Sequence, residues 1–218
     1  MSRFDFGSLK SEPGGLADMY RVFADARETV HAESYLVPAE LQTEAYAKAV
    51  ITRANGPELA DARVATRMLR EATLNEATDR VVYLAAAALS HVHLADRHIM
   101  LAQLGVVRKA VEFDIERGPD SRLRVGIVPT DYIKPLPPDL PQGMALTTPR
   151  DIVEVLTPNG VFIMGGDQFE VDRLGDLGDR GREALRRQAI LGDWAATAVF
   201  GEEALTLIEE SRATLLTA

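Results

Sequence analysis

Fifteen residues in a row, Val81 to Ala95, carry no charge, and the stretch Val81-Val82-Tyr83-Leu84-Ala85-Ala86-Ala87-Ala88-Leu89 is apolar at every position. An element that is apolar all round must be covered on every side. The run is too short to span a bilayer, which needs about 20 residues, and it stops at Asp96, Arg97 and His98. The spacing predicts the central helix of a bundle, from Glu76 to Leu104, with Asn75 as its N-cap. Its alanines would let neighbouring backbones come close. Three further helices are expected around it. In the first, Leu16, Met19, Phe23, Ala26 and Val30 recur at helical spacing. The second starts at Pro38, and the third runs from Pro57 to about Ala72 after the Gly56-Pro57 break.

After Gly105 the period changes. Val111, Phe113 and Ile115 alternate with acids, and Leu123, Val125 and Ile127 alternate after Gly118-Pro119-Asp120-Ser121. Period two with a turn between predicts a β-hairpin. Residues 129–141 hold five prolines, which forbid helix and sheet interior and predict an extended arm. Thr148-Pro149-Arg150-Asp151 reads as a helix start. Pro158-Asn159-Gly160 reads as a turn, and Val161 to Met164 as a buried strand stopping at Gly165-Gly166. From Asp179 the chain is helical again, broken near Gly201, with Trp194 facing inward. The expected fold class is α+β and mostly helical: a helical bundle with a small β-hairpin or β-rich insertion and C-terminal helices. The expected divisions are a flexible leader (1–15), the bundle (16–105), a β-rich section with the proline arm (106–175) and C-terminal helices packing back on the bundle (176–218).

Charge narrows the partners. Thirty-three acids face 24 Lys and Arg, a formal net charge of −9. A polyanion partner normally requires a basic face. The one candidate is the helical stripe Arg63, Arg67 and Arg70, but Glu58, Asp61 and Glu71 beside it predict a solvated, salt-bridged face. Nucleic-acid binding is therefore the third reading. The chain has no cysteine, so disulfides and thiolate chemistry are excluded. Met1 to Gly15 carries no apolar signal core. The expectation is a cytoplasmic protein with no membrane partner.

Metal chemistry would need the four histidines, His31, His91, His93 and His98. On one helix His91 and His93 point about 200° apart, and His91 and His98 lie about 10.5 Å apart. Glu28-x-x-His31 and His93-x-x-Asp96 have the spacing that bundle helices use for paired metals. They would supply half of such a site, because the central helix has no carboxylate between Asp79 and Asp96. No cofactor is expected. A divalent metal on Glu28, His31, His93 and Asp96, making the chain a metal-dependent enzyme, is the alternative. The segment Gly165 to Asp179 holds five acids and one base. It matches no calcium-loop pattern and leads into a helix N-terminus, where acids are stabilised anyway.

The remaining signal is for contact. Tyr132, Ile133, Leu136 and Leu140 are apolar groups on an arm that cannot easily bury itself. Leu205, Leu207, Ile208, Leu215 and Leu216 could serve a subunit interface. The expectation is a non-catalytic, self-associating structural or adaptor protein, a homo-oligomer held by the arm and the C-terminal helices.

Overall fold

A computed structural model describes residues 21–34, 36–58, 60–62, 64–65, 77–90, 95–129, 152–165, 170–175 and 179–217. The protein is α+β, built on one six-stranded mixed sheet. Its strands are β1 (Glu28–Glu33), β2 (Asp79–Ala85), β3 (Leu123–Val128), β4 (Ile152–Thr157), β5 (Gly160–Gly165) and β6 (Glu170–Arg173). They lie in the order β3-β2-β1-β4-β5-β6. β1, β2 and β3 are parallel, while β4, β5 and β6 join antiparallel on the other side of β1. The helices include α1 (Glu44–Asn55), α2 (Arg97–Arg117), α3 (Asp179–Thr197) and α4 (Gly201–Thr217), and residues 21–24, 57–58, 60–62 and 64–65 are helical too. No helix among the described residues is long and apolar enough to cross a membrane.

This corrects the expected bundle with a small hairpin. The run expected as the central helix is instead β2 followed by a 3-10 turn, Ala86–Ser90. Val82 and Leu84 point into one core, and Tyr83 and Ala85 into the other. A parallel strand with a core on each face needs apolar residues at every position. A helix at the centre of a bundle needs the same, so the run fits both.

The first core lies under α1, α2 and α4. Val82, Leu84, Val125 and Ile127 of the sheet meet Met100, Leu104, Val107 and Val111 of α2 and Ala204, Ile208 and Leu215 of α4. The second lies under α3, where Ala184, Leu191 and Trp194 cover Ala32, Tyr83, Val128, Ile152 and Ile163.

The expected hairpin is also corrected, because Val111, Phe113 and Ile115 belong to α2. The buried face of that helix is Met100, Gln103, Leu104, Val107, Val111 and Asp114, a helical repeat. Phe113 is 45% exposed, with the Arg117 guanidinium over its ring at 5.1 Å. The alternation there joined one core residue, Val111, to two exposed ones, Phe113 and Ile115. Likewise Val30 lies in a strand, and Ile152–Thr157 is a strand where a short helix was expected. The expected helix start at 148–151 lies outside the described residues. Pro158 and Asn159 make the two-residue connection between β4 and β5, with Thr157 paired to Gly160.

The outer edge of β3 is sealed by the α3–α4 link. Ile127 and Val199 exchange two backbone hydrogen bonds of 2.9 Å. Phe200 then lies over Gly126, edge-on to Tyr83 at 6.1 Å and beneath the Arg124 guanidinium at 4.6 Å. A Cβ on Gly126 would sit 2.9 Å from Phe200 Cζ and 3.0 Å from the Ala198 Cβ. Gly126→Ala should therefore cost about 1–3 kcal/mol of stability in urea unfolding, the usual cost of overpacking. Phe200→Leu in that background should recover part of the loss. Wild-type stability of Gly126→Ala would show that the ring moves aside freely.

Candidate functional site

β1 alternates in an unusual sense. By register, Thr29, His31 and Glu33 share a face with Val82 and Leu84 of β2 and with Val153 and Val155 of β4. Apart from Arg80, the β2 partner of Thr29, the neighbours are apolar, yet the three β1 residues are polar and buried, and Ser34 beyond them is buried too. His31 Nδ1 lies 2.5 Å from Glu40 Oε2, with side-chain exposures of 2% and 1%. Glu40 sits on the 3-10 turn Ala39–Leu41, which follows Pro38. This hydrogen-bonded pair ties the middle of the central strand to the connection that leaves its carboxyl end.

Other buried side chains hold the same connection. Tyr46 Oη accepts from the Val37 N–H at 3.3 Å, and Gln42 Nε2 donates to the Val37 carbonyl at 2.5 Å. Gln103, fully buried on α2, donates through Nε2 to the Leu41 carbonyl at 2.6 Å and accepts at Oε1 from the Thr43 N–H at 2.7 Å. Thr43 Oγ1 accepts from the Tyr46 N–H at 3.2 Å and caps α1. Residues 36–43 are therefore held from β1, α1 and α2 together.

The position is distinctive. β1, β2 and β3 end at one rim, and β3 and β2 lie on one side of β1 with β4 on the other. β4 begins at that rim with Ile152 beside Ala32, and β5 ends there with Gly165 beside Ile152. In open sheets, ligands bind outside the carboxyl ends of parallel strands, where the strand order reverses. Here the order reverses at β1, the strand that carries His31, and its neighbour across the reversal, β4, is antiparallel and brings its amino end to the rim. Burying a hydrogen-bonded polar pair costs desolvation that apolar residues of similar volume would avoid. A buried pair at such a rim marks a functional-site candidate.

Residues 16–210 match a family described as a domain of unknown function, DUF5753. The chain belongs to that family. The matched span contains all six strands, the His31–Glu40 pair and the Gln103 clamp. The rim is therefore part of the DUF5753 domain itself. No curated protein and no solved structure matches the chain.

The DUF5753 domain distributes the expected site residues unevenly. Glu28 and His31 are on a strand, not a helix, and three residues apart they face opposite sides of the sheet. Glu28 is exposed at the other end of β1, beside Asp79 and Leu156. Asp96 is exposed at the start of α2. His93 lies outside the described residues, as do Arg63, Arg67, Arg70, Tyr132, Ile133, Leu136 and Leu140. Among the described residues no three His, Asp or Glu gather as metal ligands. Ile208 and Leu215 are spent on the first core, with Leu205 and Leu207 packed against it, which leaves Leu216 exposed. Sequence reasoning missed Glu33, Glu40 and Gln103. The one available signal was the alternation Thr29-Val30-His31-Ala32-Glu33, a half-polar strand.

On the opposite face of this domain, Glu154 lies beneath α3 and accepts from Gln188 Nε2 at 3.1 Å. Burial pushes its carboxyl above the ordinary carboxylate range. The Gln188 hydrogen bond opposes this, and the charge of Glu28 adds to it. The folded state thus holds a proton more tightly than the unfolded state, so stability falls as pH rises through the window between the two values. Glu154→Gln removes that penalty. Its melting temperature should exceed wild type at pH 7, and the difference should shrink as pH is lowered toward 4.5. A difference that does not change with pH would show that Glu154 ionises normally.

Proposed function

We propose that this DUF5753 domain is a non-catalytic binding module whose ligand is taken up at the carboxyl rim of β1, β2 and β3. The observation that supports it is the buried His31–Glu40 pair. It joins β1 to the 3-10 turn within residues 36–43 at the point where strand order reverses. Binding loops work best when a rigid scaffold fixes them beforehand, because less ordering entropy is lost on binding. The pair is a positioning device in this reading and does not itself react. A cytoplasmic location accompanies the proposal, in keeping with a chain free of cysteine.

The test uses thermal unfolding of the full chain with four probes: spermidine, glycerol, citrate and inorganic phosphate. A ligand that binds only the folded state at a hundred times its Kd adds about 2.7 kcal/mol. The expected result is that one chemical class raises the melting temperature of wild type and leaves His31→Leu/Glu40→Leu unmoved. The proposal fails if no class shifts wild type, or if the double variant responds equally.

A further inference from the structure

The two most exposed large hydrophobic residues among those described are Leu185 on α3 (57%) and Leu216 on α4 (58%). They sit in opposite electrostatic surroundings. The start of α3 carries Arg180, Arg182, Arg186 and Arg187 against Asp179 and Glu183. Glu183 is shared between Arg187 at 3.1 Å and Arg186 at 3.7 Å, and Arg182 and Arg186 are exposed. In a chain of net charge −9, residues 182–187 carry three arginines against one acid, a net positive stretch of α3. α4 carries Glu202, Glu203, Glu209 and Glu210 against Arg212 alone. Glu209 pairs with Arg212 and Arg108 at 3.1 Å, whereas Glu202, Glu203 and Glu210 carry no ion pair among the described residues.

The outward stripes of the two helices match in spacing. On α3, Arg182, Arg186, Ala189, Asp193 and Ala196 are exposed, with Leu185 beside them. On α4, Glu202, Thr206, Glu209, Ala213 and Leu216 are exposed at the same intervals. Laid parallel, Arg182 meets Glu202 and Leu216 falls over Ala196. Leu185 falls beside Thr206. Large residues meet small ones, and opposite charges meet. Laid antiparallel, Asp193 would come among Glu202, Glu203 and Glu209, and the charges would repel.

We infer that α3 of one copy docks on α4 of a second copy, with Arg182 and Arg186 against Glu202 and Glu203. The topology sets what such a contact builds. α3 covers one face of the sheet and α4 belongs to the core on the other. The two surfaces therefore do not form one self-complementary patch. The contact is head-to-tail, so it extends to a ring or a chain of copies and does not close as a two-fold dimer. This goes beyond the ligand rim and stands independently of it.

Light scattering after size exclusion tests it on the full chain at about 0.1 M and about 1 M salt, where the screening length falls from roughly 10 Å to roughly 3 Å. At low salt the mass should exceed the 23.8 kDa of one chain and rise with protein concentration. At high salt it should fall. Arg182→Glu/Arg186→Glu should run as a monomer, and so should Glu202→Arg/Glu203→Arg. An equimolar mixture of the two variants should regain the larger mass, because a reversed α3 again meets a reversed α4. That recovery also shows that both variants fold. A monomeric wild type at low salt overturns the inference, as does a larger mass that the variants leave unchanged. Deleting 132–141 separates it from assembly through the proline arm. Loss of assembly on that deletion alone, with the charge variants still assembled, assigns self-association to the arm and overturns the helix contact.

Discussion

For a His31–Glu40 pair that is charged in the folded protein, removing one member is expected to cost about 3–5 kcal/mol, because the partner is left as a buried charge with its main counterpart gone. At roughly 2–4 °C per kcal/mol for a chain of this size, His31→Ala or Glu40→Ala should lower the melting temperature by roughly 6–20 °C. The double variant His31→Leu/Glu40→Leu should behave differently. It fills the same space with apolar groups beneath Val82 and Val153, the register partners of His31, and should match or exceed wild-type stability. Urea unfolding of wild type, His31→Leu, Glu40→Leu and the double leucine variant closes a double-mutant cycle. Its coupling energy isolates the pair from the packing of each side chain. Single variants within about 1 kcal/mol of wild type would show that neither group is charged in the folded protein. The cycle also separates two roles. If the pair exists only for stability, the double leucine variant keeps every other property. If it positions a binding loop, that variant folds and loses its ligand.

Gln103→Leu should cost about 2–6 kcal/mol. Gln103 is fully buried and serves two backbone groups of one loop, the Leu41 carbonyl and the Thr43 N–H. Leucine keeps the volume and removes both partners, and each buried backbone group left without a partner costs about 1–3 kcal/mol. Amide exchange should localise the effect, with protection falling at Thr43 before it falls in β1 or β2. A Gln103→Leu protein within about 0.5 kcal/mol of wild type would mean that the loop finds other partners, and its rigidity would then not depend on α2. If the rim binds a ligand, this variant should also weaken binding, since the loop must then be ordered at the moment of capture.

Much of the chain's punctuation was legible residue by residue. Gly56, at φ +82°, ends α1 where a side chain would be strained. Pro158 and Asn159 turn β4 into β5, Val161 to Met164 is a strand, and Trp194 faces inward. Each depends on φ and ψ limits or on a short pattern that the neighbours cannot rewrite. The uncharged run from Val81 was legible only as something buried on all sides. Whether it is a helix or a strand depends on what surrounds it, and here helices lie on both faces of a sheet. The alternation at Val111, Phe113 and Ile115 misled for the same reason, since which of those residues faces the core is decided by the packing of α2 on α4 and β3.

The site was hidden more deeply. His31 and Glu40 are nine residues apart and meet only because a strand and a 3-10 turn fold back on each other. Gln103 reaches Thr43 across sixty residues. The linear chain by itself determined certain turns and breaks and which stretches must leave water, because steric limits and hydrophobicity act locally. The tertiary structure alone decided which polar groups are buried together, because only there do the desolvation of a charge and the partner that offsets it occur at one point in space.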